Sequence, residues 1–196
     1  MRFLLAQPRT YDTDAVLDAV MRTFWTHGWK GTSVDMLARA AGVRKGSLHH
    51  AFGNKEDMLI AALTRYKAFF DDRLDGALEN PDPAVAVPAL FAAVIERMAD
   101  PANPSGCLST YACMEFRDLP EAAARLVREG MERQIAKLTD HARTAIDAGY
   151  LAADVDPHGQ AAAWFAATRG MAAVHRVTND IDAVRGIAAT YTAAFE

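Results

Sequence analysis

Cysteine is scarce in this chain of 196 residues: there are two, Cys107 and Cys113. So few thiols exclude a disulfide framework, and nothing nearby has CxxC-type spacing for a zinc site. A reducing, cytoplasmic setting is expected. No apolar run approaches the roughly 18 residues needed to cross a bilayer, so no membrane partner is expected. The N-terminal MRFLLAQPR holds about four apolar residues, short of the roughly 7–15 of a secretory h-region. Sustained apolar–polar alternation is missing too, which argues against a strand-built fold. Enzyme signatures are also missing. No glutamate has a histidine three residues later, as a di-iron helix bundle requires. Neither G-x-S-x-G, G-x-G-x-x-G nor a P-loop occurs. No catalytic residue, cofactor or metal site is expected.

Helical periodicity is abundant, and 51% hydrophobic residues suffice for a sizeable core. Leu17, Val20, Met21 and Phe24 share one face of a helix at about 12–27, which Gly28 should stop. Thr32 or Ser33 can cap a second helix carrying Val34, Leu37, Ala38 and Ala41. Gly42 sits where a helix end needs a left-handed residue. A short helix at about 45–51 follows. Asn54 then caps a long helix with Leu59, Ala62, Leu63, Tyr66 and Phe70 as its buried stripe. Running over 54–79, it would span about 37 Å at 1.5 Å per residue. NPDP at 80–83 marks a domain boundary. Further helices are expected at about 84–99, 107–117, 120–148, 157–177 and 181–195, one of them opened by Asp156–Pro157. The fold class is all-α, with an N-terminal domain at 1–55 joined by the 54–79 helix to a C-terminal domain at 80–196.

Charge separates the two parts. The net charge is −4, yet residues 1–55 carry eight Lys/Arg against four Asp/Glu, leaving an excess of negative charge beyond them. A basic front on an acidic body suggests that only the first part meets a polyanion. Within it, GVRKGSLHHAF (42–52) offers no continuous apolar face, but Leu48 and Phe52, four residues apart, can pin a short helix to a core. A helix, a glycine turn and a short second helix make a helix-turn-helix, whose second helix enters the DNA major groove. Arg44 and Lys45 supply donors, Gly46 and Ser47 allow close backbone approach, and Asn54–Lys55 opens a helix whose positive end can meet a phosphate. His49 and His50 point about 100° apart on a helix, which suits groove-facing or packing roles better than one shared metal.

AxxAGVxKGSLxxxFxxKEDML over 38–59, the preceding GTSVDMLARAAGV and the FWTHGW segment together resemble the TetR/AcrR family of transcriptional regulators. More distantly, GCL at 106–108 and GMAAVHRVTND at 170–180 resemble ligand-binding domains of one branch of that family. The resemblance implies an all-α homodimer that binds double-stranded palindromic operator DNA, acts as a repressor and lets go when an unidentified small-molecule effector binds. It makes Lys45 and Gly46 the base-reading pair, places Ser33, Val34 and Ser47 at the groove edge, and assigns Lys55 to a phosphate. Two positions depart from the family pattern: His49 replaces a usual tyrosine, and Ala51 replaces a histidine or tyrosine, so a phosphate contact at 51 is lost.

The effector-pocket candidates are Phe69, Phe91, Cys107, Met114, Phe116 and Trp164. Glu115, Arg117 and His175 could orient a polar effector or face solvent. Cys107 and Cys113 read first as buried, inert thiols; Cys107 follows PSG at a helix start, where the dipole can favour a thiolate, so a redox or electrophile sensor is the alternative. Ala161, Ala162, Trp164, Phe165, Ala166, Met171 and Ala172, then Ile187, Tyr191 and Phe195, occupy more than one helical face. A partner subunit is the economical cover for the surplus.

Overall fold

The computed structural model describes residues 12–193; Phe195 and the MRFLLAQPR segment lie outside them. Among the described residues the chain is helical throughout: α1 Thr13–Gly31, α2 Val34–Ala40, α3 Lys45–Phe52, α4 Lys55–Ala77, α5 Pro83–Ala99, α6 Leu108–Met114, α7 Glu121–Asp147, α8 Pro157–Thr178 and α9 Ile181–Thr192. A 3-10 turn at Phe116–Asp118 follows α6.

Caps explain most boundaries. Asp12, Asp82, Asp156 and Asp180 accept backbone N–H groups at the starts of α1, α5, α8 and α9. Ser33, not Thr32, caps α2, its Oγ accepting from Met36 N at 3.2 Å. Asn54 and Asp57 form a reciprocal capping box at the start of α4. α1 breaks at Gly28 as expected but does not end there. Gly28 takes φ 69°, ψ −174° and kinks the helix, which then resumes to Gly31. The freed groups find other partners: Thr32 Oγ1 donates to Gly28 O at 2.6 Å, and the Trp29 N–H donates to a carboxylate far along the chain.

Two apolar clusters hold the molecule. The first joins Phe24 and Trp25 of α1, Leu37 of α2, Leu48 of α3 and Met58 and Tyr66 of α4 to Leu108 and Ala112 of α6 and Ala123 of α7. The second joins Leu74 of α4 and Phe91 of α5 to Leu138, Trp164, Met171 and Val184 of α7, α8 and α9. The division between cores therefore falls within α4, between Tyr66 and Leu74, and α6 belongs to the core that carries α2 and α3. Cys107 packs against both clusters. α4, at 23 residues, runs about 34 Å from one to the other.

α8 corrects one expectation. Ala161, Trp164, Met171 and Ala172 are buried in this chain's own core, so they are not a surplus face awaiting a partner. Ala162, Phe165, Ile187 and Tyr191 are half-buried. What α8 leaves outside is Ala166, from the expected set, together with Gly159, Ala163, Gly170 and Val177.

Candidate functional site

α3 projects a polar surface from its anchor. Leu48 is fully buried and Phe52 half-buried, while Arg44, Lys45, Gly46, His49 and His50 are exposed. Full burial of a leucine is worth about 2 kcal/mol, enough to seat so short a helix on the first core. Lys45 Nζ lies 3.0 Å from Asp35 Oδ1 on α2, but both side chains are more than half exposed. Such a pair holds less than about 1 kcal/mol, so the ammonium can exchange it for a base edge or phosphate. Gly46 lacks positive φ, and a Cβ placed there meets nothing within 4 Å. The fold itself does not demand glycine at this point, which leaves an external surface as the reason for it. His49 Nδ1 sits 2.8 Å from Gly53 O, an acceptor, so Nδ1 carries the proton of this contact. Ser33 combines its cap with an exposed position, Val34 is half-buried against the first core, and Ser47 is half-buried beside Leu48.

Lys55 lies elsewhere than expected. Its ammonium turns inward, donates to Trp29 O at 2.7 Å and rests over the Trp29 ring, 4.0 Å from the centroid. Burial lowers its pKa, partly opposed by Glu115. The side chain thus ties the start of α4 to the end of α1.

Glu115, just after α6, completes that tie. Its Oε2 accepts from Trp29 N at 2.7 Å and its Oε1 weakly from Lys30 N at 3.5 Å. A Cβ at Gly28 would lie 2.6 Å from the same carboxylate, so glycine is required for the approach as well as for the kink. Nearby, Lys30 pairs with Asp118 at 2.7 Å, and Arg176 of α8 donates to Trp25 O and Thr26 O. α6 therefore grips the end of the first helix, immediately behind the helix-turn-helix.

At the other end of α6 is Cys107. Tyr66 Oη donates to its Sγ at 3.1 Å, Ser109 Oγ is 3.1 Å away, and Arg169 Nη1 of α8 approaches at 3.5 Å. Burial alone pushes the thiol up, but the Arg169 guanidinium and the hydroxyls of Ser109, Thr110 and Tyr66 more than offset it, bringing it from 9.0 to about 7. The largest lowering influence comes from a guanidinium 62 residues away in sequence. Cys113 has the opposite fate, pushed up by burial with Arg169 opposing. Arg169 is fixed by Ser109 Oγ at 2.7 Å, Thr110 Oγ1 at 3.2 Å and Gln134 Oε1 at 3.1 Å.

Two small cavities of about 20 and 50 Å³ flank this cluster, with Tyr66, Phe70 and Arg169 in both walls. Of the effector candidates, Phe69 and Cys107 line the smaller. The others do not meet there. Phe91 is buried edge-on against Tyr191, with ring centroids 5.3 Å apart, and Trp164 packs on His141 at 5.9 Å. Phe116 lies under Arg128, and Met114 is 71% exposed. Apolarity made these four candidates, and core packing or plain exposure accounts for them. Arg117 faces solvent, while His175 is buried and accepts from Gly106 N at 3.0 Å. Among the described residues no group of three His, Cys, Asp or Glu could hold a metal ion, and no helix is long and apolar enough to cross a membrane. Arg97 and Arg169 carried no sequence signal, because nothing local tells which arginine of an amphipathic helix turns inward.

An all-α chain with a helix-turn-helix on one core and a thiol–arginine cluster where the two cores meet is the architecture of a DNA-binding regulator. Comparison with known proteins agrees. Residues 16–62 match the family model "Bacterial regulatory proteins, tetR family", and residues 83–191 match "Tetracyclin repressor-like, C-terminal domain". The chain belongs to the TetR family of transcriptional regulators. It is 33% identical over 109 residues to the HTH-type transcriptional repressor ComR of Escherichia coli, covering 55% of this chain and 52% of that protein. It is 34% identical over 148 residues to the transcriptional regulator AcuR of Cereibacter sphaeroides, covering 73% and 66%. A cysteine-substituted variant of the TetR-family regulator CifR, solved with 26-base-pair double-strand operator DNA, superposes with a TM-score of 0.81 at 25% identity, covering 97% of this chain and all of that one. Escherichia coli NemR in its reduced form shares the fold, with a TM-score of 0.74 at 22% identity over 90% and 93% of the two chains.

Proposed function

We propose that this chain is a cytoplasmic, homodimeric repressor of a palindromic operator, released when a small effector occupies the chamber around Tyr66, Cys107 and Arg169. α3 reads the groove through Lys45 and Gly46, with Ser33, Val34 and Ser47 at its edge and the start of α4 against a phosphate. Residues 80–196 sense and dimerise, and the small-residue stripe Gly159–Ala163–Ala166–Gly170 suits close helix packing between two copies. One observation supports the coupling above all others: α6 starts at the chamber with Cys107 and ends at Glu115, on the backbone of α1 beside Lys55. Cavities of about 20 and 50 Å³ admit a few atoms at most, so an occupant displaces α4 through Tyr66 or α6 through Cys107. A shift of either moves α3 and its symmetry mate away from the spacing of one DNA turn, about 34–36 Å.

A second reading has its own support: Cys107 itself is the sensor. A thiol at about 7 is substantially thiolate at neutral pH, and thiolates are the form that oxidants and electrophiles attack. Two of the similar proteins, CifR and NemR, are described by the substitution or redox state of the protein.

Selection of bound DNA from a genomic pool tests the main reading. A palindromic site should emerge, and Lys45→Ala should weaken it about 5–150-fold while non-specific binding changes less. Wild-type affinity in that variant would remove α3 from the groove.

A further inference from the structure

Three arginines line the smaller cavity: Arg73, Arg97 and Arg169. Arg73 is paired with Glu96 on α5. The other two have no carboxylate within ion-pair distance among the described residues, and the Nε of each is buried without a hydrogen-bond partner. Guanidinium groups do not deprotonate in proteins, so neither can escape burial by neutralising. Among the described residues Arg97 is steadied by rings, those of Phe69 at 4.3 Å, Tyr66 at 4.8 Å and Trp25 at 5.1 Å. Arg169 has the Cys107 sulfur, and once that thiol ionises one positive charge remains in excess. A single negative charge balances the chamber.

We propose that this cavity is the seat of a small monoanionic carboxylate, which pairs with Arg97 and Arg169 and sets its short apolar remainder against Phe69, Phe70, Val94 and Met98. The proposal rests on the reading of the chamber as the effector seat and names the chemical class of the effector. Size limits the ligand. A void of about 15 Å³ holds one water, so about 20 and 50 Å³ on either side of Phe70 and Arg169 suit a chain of about two to four carbons after modest opening. The apolar wall disfavours inorganic phosphate, which has no carbon to place there and carries more charge than the site lacks. A route in is visible as well. Phe69 and Arg97 also line an open groove on the outer surface between α1 and α4, so these two side chains are a wall common to the cavity and the groove.

The test is calorimetric titration of the intact dimer with propionate, propionamide and inorganic phosphate, repeated on the protein bound to its selected operator. Propionate should bind; propionamide, the neutral isostere, and phosphate should not. Arg97→Gln should weaken propionate at least about 30-fold, the equivalent of about 2 kcal/mol for one partner of a buried charge pair. Equal binding of propionate and propionamide by the wild type, or of neither, overturns the proposal whether or not the variant folds. Propionate that binds free and operator-bound protein equally supports the carboxylate seat while removing its role as effector site. Operator release by neutral compounds alone leaves the effector reading intact and overturns the carboxylate.

Discussion

Replacing Glu115 by alanine removes the side chain that, among the described residues, joins the end of α6 to the back of the helix-turn-helix through backbone hydrogen bonds. The contact to Trp29 N, at 2.7 Å, is charge-assisted and partly buried, and its loss also strands the N–H behind the Gly28 kink. Hydrogen bonds to charged groups are worth about 1.5–3 kcal/mol, so about 2 kcal/mol of stability should go. The 3.5 Å approach to Lys30 N adds little. For a chain of this size the loss lowers Tm by about 4–8 °C. The second consequence is specific to coupling. With the clasp gone, Lys55 loses the carboxylate that opposes its desolvation, and α6 can move without dragging α1 or α4. Glu115→Ala should therefore bind operator but respond weakly to any ligand or modification in the Cys107 chamber. Differential scanning calorimetry and fluorescence anisotropy on operator DNA read the two effects. A Tm within 1 °C of wild type, together with an undiminished response, would refute the clasp.

Three other outcomes are expected. Gly46→Ala should stabilise the fold by up to about 0.5–1 kcal/mol in urea denaturation, since a Cβ there meets nothing, yet weaken operator binding by crowding the groove. Alkylation of Cys107 by iodoacetamide should be half-maximal near pH 7, and Arg169→Gln should move that midpoint upward, because burial is then opposed by the Ser109, Thr110 and Tyr66 hydroxyls without the guanidinium. His141 and His175 are both lowered from 6.5, each mainly by burial. Both states are neutral above that pH; below it the unfolded chain takes the protons first, so the urea midpoint should fall as pH drops from about 6.5 toward 5. His175→Gln should flatten that slope without abolishing it.

Local chemistry made the helices legible. Ser33, Asn54, the Asp156–Pro157 pair and the Gly42 turn each act within one turn of their own backbone, so sequence suffices to place them. The break at Gly28 was legible too, but not the turn that resumes to Gly31 or the partner of the freed Trp29 N–H, Glu115, which lies 86 residues further on. The thiol chamber was legible only at Cys107 and Phe69. Tyr66 could be placed on a buried stripe but not opposite a sulfur, and the Arg169 contact depends on how α8 is rotated against α6. Phe91 and Trp164 illustrate the converse: an aromatic on an apolar face carries no mark distinguishing core from cavity wall. Lys55, too, had the sequence context of a phosphate contact and the structural fate of a clasp.

Coupling between chamber and groove is tested most directly by the operator Kd of protein alkylated at Cys107 in a Cys113→Ser background, measured beside the unmodified protein. A carboxamidomethyl group overfills a cavity of about 20 Å³ and must displace Tyr66 on α4 or the start of α6. Operator binding should weaken at least about tenfold, or about 1.4 kcal/mol, with non-specific binding unchanged. A Kd within a factor of about two of the unmodified protein would mean that the chamber does not control this DNA-binding surface.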